Sequence, residues 1–215
     1  MGPDYRRRPL NRRETPGSQI AVTASVGQTG ADKGARLSST LERLDTAAAG
    51  FRSRLDGLSA QDLAAPSPCD GWTAGDVVEH TISAIVMVSD FVGDPVDDNS
   101  ASEPVARFDH AVADLRAKTS DPELAGTVVE SPFGALALKQ LVSSIVVHDL
   151  LVHTWDLARA TGRDERLDPE LVSYTYAHMA PLDGQLRGHG FADKVEPHDG
   201  ADEQAQLLCF LGRTP

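Results

Sequence analysis

Cysteine is scarce in this 215-residue sequence: Cys69 and Cys209 are the only two. They offer neither the paired spacing of a zinc finger nor a disulfide framework, and read as reduced thiols of a cytoplasmic protein. Aromatic residues make up only 5% of the chain and no long alternating β-branched run occurs, which argues against a sandwich or barrel. Internal repeats and Gly-rich phosphate-cradling motifs are missing. No apolar run approaches the roughly 18–20 residues of a membrane span. Basic charge is short as well, and unevenly so. Residues 1–36 hold seven Lys and Arg against three Asp and Glu, which leaves 13 basic and 29 acidic side chains for residues 37–215. A body that acidic repels phosphate backbones and argues against DNA or RNA as a partner.

Ala and Leu are plentiful, so the bulk reads as helical, and the length suits one domain with a sizeable core. Residues 1–35 are expected to form a disordered basic tail. Arg6-Arg7-Arg8 and Arg12-Arg13 are not followed by the apolar stretch a signal peptide needs. The domain then spans 36–215. Leu37, Leu41, Leu44, Ala48, Phe51, Leu55 and Leu58 alternate in fours and threes, which predicts a first helix from Arg36 to Gly57. Pro66 to Trp72 is a loop by its prolines and Asp-Gly. Thr73 with Asp76 resembles a capping box and opens a second helix to Phe91. A third helix is predicted from Ser102 to Lys118 and a short hairpin over Gly126–Gly134. A long fourth helix begins near Ala135 and stops at Gly162. Asp168-Pro169 caps a further helix carrying Tyr174 and His178, and a short last helix runs from Asp202 to Leu211. Four long helices with short to moderate loops imply an antiparallel four-helix bundle, with extra short helices near the C-terminus.

The fourth helix carries the chemistry. Val142, Val146, Asp149, His153 and Asp156 share one face that starts apolar and turns polar. A carboxylate and an imidazole one turn apart are costly to bury unless paired or bound to a cation. His80 lies in the inward stripe of the second helix. Singly, each reads as a hydrogen-bonded core residue. Together, His80, Asp149 and His153 form a divalent-metal set, Zn²⁺ first with Ni²⁺, Fe²⁺ and Mn²⁺ as alternatives, that leaves coordination positions open. Asp156 is the candidate acceptor behind an imidazole, with an ion pair to Arg159 as the plainer alternative. His148 points about 100° from Asp149 and reads as an edge or supporting residue. Trp155 reads as core. Cys69, shortly before a helix start, is a minor candidate for a reactive thiol. His178, His189 and His198 either line the bundle mouth or lie on the surface.

Two segments carry a resemblance. Pro66-Ser67-Pro68-Cys69-Asp70-Gly71-Trp72-Thr73, followed by Asp76-Val77-Val78-Glu79-His80, is similar to the hallmark of actinobacterial proteins related to the N-terminal domain of mycothiol-dependent maleylpyruvate isomerase. Asp149 to Ala158, DLLVHTWDLA, is similar to that group's second metal motif. Leu207 to Pro215, LLCFLGRTP, resembles the end of one of its subgroups. The resemblance implies a DinB-like bundle holding a divalent metal at the positions of His80, Asp149 and His153, the residues that periodicity also reaches. The isomerase proper has Glu in place of Asp149 and an additional C-terminal domain.

The resemblance also implies thiol chemistry. The expected protein is a metal-dependent transferase or isomerase using a low-molecular-weight thiol such as mycothiol on a small electrophilic substrate. The alternatives are a metal-dependent hydrolase, a non-catalytic metal- or ligand-binding bundle, and an interaction module that forms a homodimer. Removal of residues 1–35 is expected to leave the melting transition in place, because the segment lacks periodic apolar content. A large fall in melting temperature would place part of it in the core.

Overall fold

Apolar positions at helical spacing produce the elements, and their mutual burial sets the architecture. The structure is a computed structural model that describes residues 30–96, 103–131, 134–187 and 192–215, with backbone alone over 30–38 and at 185. In chain order it contains α1 (Gly30–Leu55), α2 (Ala60–Leu63), α3 (Ala74–Ser89), α4 (Pro104–Ser120) and α5 (Pro122–Gly126). The hairpin strands β1 (Val128–Ser131) and β2 (Gly134–Ala137) follow, then α6 (Leu138–Leu141), a wide π-type segment (Val142–Val146) and α7 (Val147–Thr161). The chain ends with α8 (Pro169–Met179), α9 (Asp183–Leu186) and α10 (Glu203–Phe210). Among the described residues the protein is all-α with one small hairpin.

Helices α1, α3, α4 and α7 form the bundle. α1 packs on α4 and α7, and α3 packs on the same two, so α1 and α3 occupy opposite corners. The core between them includes Leu44, Phe51, Leu55, Val77, Ile82, Ile85, Phe108, Leu115, Val146 and Leu150. Phe51 of α1 stacks on Phe108 of α4 with ring centroids 5.1 Å apart. Ion pairs brace the same interface from outside: Arg52 meets Asp109 at 2.9 Å and Arg116 meets Asp45 at 2.8 Å. Both pairs are substantially exposed and add little net stability.

The termini follow local chemistry. Thr73 and Asp76 form the capping box of α3, Asp168 caps α8 with Pro169 after it, and Gly162 ends α7 at a φ of 65°. Several predicted boundaries change, and the second helix ends at Ser89 and not at Phe91. The first helix begins at Gly30 and ends at Leu55. The third runs to Ser120 from Pro104. The fourth does not begin near Ala135, because residues 134–137 pair antiparallel with 128–131, Ala137 opposite Val128. Helix resumes at Leu138, whose N–H bonds the Thr127 carbonyl at 3.0 Å. Residues 1–29 of the expected tail, His189 and residues 97–102 of the acidic loop lie outside the described residues.

The helical run Leu138–Thr161 is, by length and composition, apolar enough to cross a membrane, contrary to the sequence reading, but 78% of that window is buried inside the protein. It is the central helix of the bundle. Its wide segment also explains His148. That residue is buried, not at an edge, and its Nδ1–H donates to the Ser144 carbonyl at 3.1 Å. The π-type turn disturbs the regular bonding ladder, and a buried imidazole supplies an extra donor there. The ring packs against Tyr174 and the exposed His178, while His198 is exposed elsewhere.

Burial, reinforced by the nearby His178 ring, lowers the His148 pKa to about 4. The unfolded chain therefore binds this proton from about pH 6.5 downward while the folded chain resists it. His148 is expected to cost stability progressively as pH falls from about 6.5 to 4. Denaturant unfolding of His148→Leu should show a flatter slope than wild type across that window, and equal slopes would contradict the assignment.

Candidate metal centre

The capping box of α3 fixes where His80 stands. Thr73 Oγ1 accepts the Asp76 N–H at 3.2 Å and Asp76 Oδ2 accepts the Thr73 N–H at 2.8 Å. Four residues on, one helical turn, His80 faces α7. Asp149 and His153 are one turn apart on α7 and face back. The two imidazoles converge on one oxygen: His80 Nε2 lies 3.2 Å and His153 Nε2 3.4 Å from Asp149 Oδ1. The ring centroids are 5.0 Å apart. One donor atom from each residue lies within 4.8 Å of the other two. His80 is 35% and Asp149 20% exposed at the side chain, so the group opens to solvent on one side. The structure thus brings together the three residues that periodicity selects.

Behind His153 the surroundings close. Its Nδ1–H donates to Asp156 Oδ2 at 2.9 Å, and that carboxylate is wholly buried. The bond fixes the ring so that Nε2 faces His80 and Asp149. Asp156 does not pair with Arg159, which points outward to Glu165 at 2.8 Å. Its cationic partner is Arg213, with Nη2 2.9 Å from Oδ2 and Nε 3.3 Å from Oδ1. Cys69 donates its thiol to the same Oδ2 at 3.4 Å. Trp155 is core, as periodicity suggests.

Electrostatics follow the contacts. Burial alone would raise the Asp149 carboxyl, but the imidazoles of His153 and His80 override it and hold it well below the usual carboxylate range. Burial likewise works against a charged His153, and the Asp149 and Asp156 carboxylates prevail, raising its pKa well above the ordinary value. Asp156 is held down at about 2, against its burial, by His153 and Arg213. The His153 ring thus lies between two carboxylates, Asp149 at Nε2 and Asp156 at Nδ1, and both favour its protonated form. A divalent ion and a proton compete for the same place on Nε2. Two nitrogens, one carboxylate oxygen and an open side fit a zinc-type ion with positions left for another ligand.

Two contributors escape the periodicity argument. The loop before α3 closes on itself through Ser67 N–H to Trp72 O at 2.9 Å and Trp72 N–H to Cys69 O at 3.0 Å. Gly71 turns it with a φ of 74°, where a side chain would be strained. The loop lays Trp72 against the site, 5.0 Å from the His80 ring and 6.2 Å from the His153 ring. Arg213 arrives by a Schellman turn at the end of α10: Gly212 N–H bonds Cys209 O at 3.0 Å and Arg213 N–H bonds Leu208 O at 2.8 Å. Gly212 has a φ of 82°, and a Cβ there would lie 2.7 Å from that of Ala192. The Leu211-Gly212-Arg213 sequence at a helix end is the signal that marks this turn. A cleft of about 420 Å³ opens beyond Arg213, lined by Pro68, Trp155, Arg159 and Gly212 among others, and neither His80 nor Asp149 lines it.

A family model described as the mycothiol maleylpyruvate isomerase N-terminal domain matches residues 44–158. The match takes in Cys69, His80, Asp149, His153 and Asp156 and stops short of Arg213. Uncharacterized proteins from two strains of Mycobacterium tuberculosis are each 34% identical over 176 residues, covering 76% of this chain and 92% of the relative. No solved structure matches at comparable stringency.

Asp156→Asn is expected to destabilise the fold by about 3–5 kcal/mol, because it leaves the Arg213 guanidinium, 13% exposed, without its carboxylate. Urea unfolding measures the loss, and the Asp156→Asn/Arg213→Met pair should recover part of it. A loss below about 1 kcal/mol would show the pair to be idle.

Proposed function

Because the chain belongs to the mycothiol maleylpyruvate isomerase N-terminal domain family, we propose that it is a divalent-metal-dependent enzyme of the thiol-transferase or isomerase type. It would take a small electrophilic substrate and a low-molecular-weight thiol such as mycothiol. The observation that carries this reading is the convergence of His80 Nε2 and His153 Nε2 on Asp149 Oδ1, with His153 steered from behind by Asp156. His80, Asp149 and His153 would hold a divalent cation, zinc by the donor set, which would supply Lewis-acid polarisation and a lowered pKa for a bound thiol.

The chain's own residues do the rest. Asp149 brings one negative charge, and two neutral imidazoles keep the ligand set soft enough to favour a zinc-type ion. His153 would offer Nε2 to the cation, and its Nδ1–H, donated to Asp156 Oδ2 at 2.9 Å, would hold the ring's orientation. Trp72 lays an apolar ring beside both imidazoles, 5.0 Å from that of His80 and 6.2 Å from that of His153. The partly exposed edge of His80 and Asp149 is the side from which thiol and substrate would approach.

Elemental mass spectrometry on untagged protein tests the site. Near-stoichiometric metal that His153→Ala abolishes, followed by turnover that requires mycothiol, supports the reading. Turnover of a hydrolysable substrate without thiol would make the protein a hydrolase instead. A folded protein that takes no zinc, nickel or iron on reconstitution would reduce the trio to a polar pair with a neighbour. Metal affinity should fall about tenfold per pH unit on acidification below neutrality, because the raised His153 pKa sets a proton against the cation. A pH-independent affinity between 5 and 7 would contradict that competition.

A further inference from the structure

His153 belongs to two groups. Its Nε2 faces His80 and Asp149, and its Nδ1 faces Asp156 and Cys69, and in each group one donor atom per residue lies within 4.8 Å of the others. By distance alone the sulfur-containing group is as able to take a cation as the first, and its thiolate would favour soft ions. Charge separates them. The Arg213 guanidinium stands inside the second group, with Nη2 2.9 Å from Asp156 Oδ2 and 3.8 Å from Cys69 Sγ. Its Nη1 is tied to the Leu211 carbonyl at 3.0 Å, and its backbone is locked by the turn at Gly212. The contacts of Asp149, by contrast, are to the two imidazoles.

We infer that Arg213 is a resident cation that keeps the Cys69–His153–Asp156 group closed to metal, and so confines a bound ion to the His80–Asp149–His153 side. The inference rests on the metal-binding reading of that side. A divalent ion near Cys69 would have to displace a guanidinium that already satisfies both Asp156 oxygens, and would meet its charge if it did not. Held this way, Cys69 stays uncoordinated beside the site, its sulfur 3.4 Å from Asp156 Oδ2. His153 then keeps one role, ligand through Nε2, and Arg213 decides which nitrogen that is without touching the ion.

Cobalt(II) is the probe, titrated into the full chain while the near-ultraviolet thiolate-to-cobalt absorption is followed. Wild type is expected to show visible cobalt bands and no thiolate band. Arg213→Gln should acquire a thiolate band at about one sulfur per chain, Arg213→Lys, which keeps the charge, should not, and Cys69→Ala in the Gln background should abolish it. Circular dichroism checks folding, with Arg213→Met as the replacement if Arg213→Gln does not fold. A thiolate band in wild type overturns the inference, as does a folded, cobalt-loaded Arg213→Gln or Arg213→Met without one. Wild type that takes no cobalt, beside an Arg213→Gln chain that gains the band, sinks the metal reading of the first group and supports the closing role of Arg213.

Discussion

A carboxylate with no exposure to water has to be met by opposite charge and hydrogen bonds, or it takes up a proton. Asp156 is such a carboxylate, and the parts of the chain that meet it are far apart in sequence: Cys69 from the loop before α3, His153 from its own helix and Arg213 from the turn after α10. Three segments of the chain are thereby gathered around one charge. The same requirement sets the imidazole angle, because the oxygen that needs a donor takes it from His153 Nδ1. Orientation of the candidate ligand and closure of the C-terminal segment are two results of one electrostatic demand.

The bundle supplies what that network cannot, a fixed distance between α3 and α7. Both helices are held by apolar burial on several sides, so His80 and the Asp149–His153 pair face each other on rigid supports. Side chains carried on packed helices are placed more precisely than those on loops, which suits a site that must hold three donors at bonding distance from one point. The loop elements contribute shielding and charge: Trp72 on one side, Cys69 and Arg213 on the other.

Much of this was legible in the sequence because it is periodic or local. Helical spacing alone put His80, Asp149 and His153 on inward faces, and the capping box at Thr73–Asp76 is written within four residues. Arg213 was not legible by such means. It lies 57 residues beyond Asp156, and no periodicity relates a residue after one helix to a residue inside another. Arg159, three residues away, is the ion-pair alternative that sequence distance offers Asp156, but burial turns Asp156 inward, and Arg159, at the outer edge, finds Glu165. The start of the fourth helix was missed for a related reason. Ala135 to Ala137 suits a helix on its own, and only pairing with Val128 to Glu130 makes it a strand. The π-type segment has no local signature in Val-Ser-Ser-Ile-Val at all.

That segment gives the central helix one residue more than an unbroken α-helix would need to cover the same rise. Upstream of it the helix buries Leu138 and Leu141, and downstream it presents Asp149 and His153 to α3. A single extra position allows both faces to be kept at once, since each added residue rotates the downstream half of the helix by about 100°. In evolutionary terms the site is then one codon away from another register. Loss of one residue between 142 and 146 would leave the composition and helical content almost untouched, yet it would turn either the hairpin or the ligand pair out of line. A homologue carrying such a deletion would be a bundle of the same appearance with a different, or no, chemistry on its inner face.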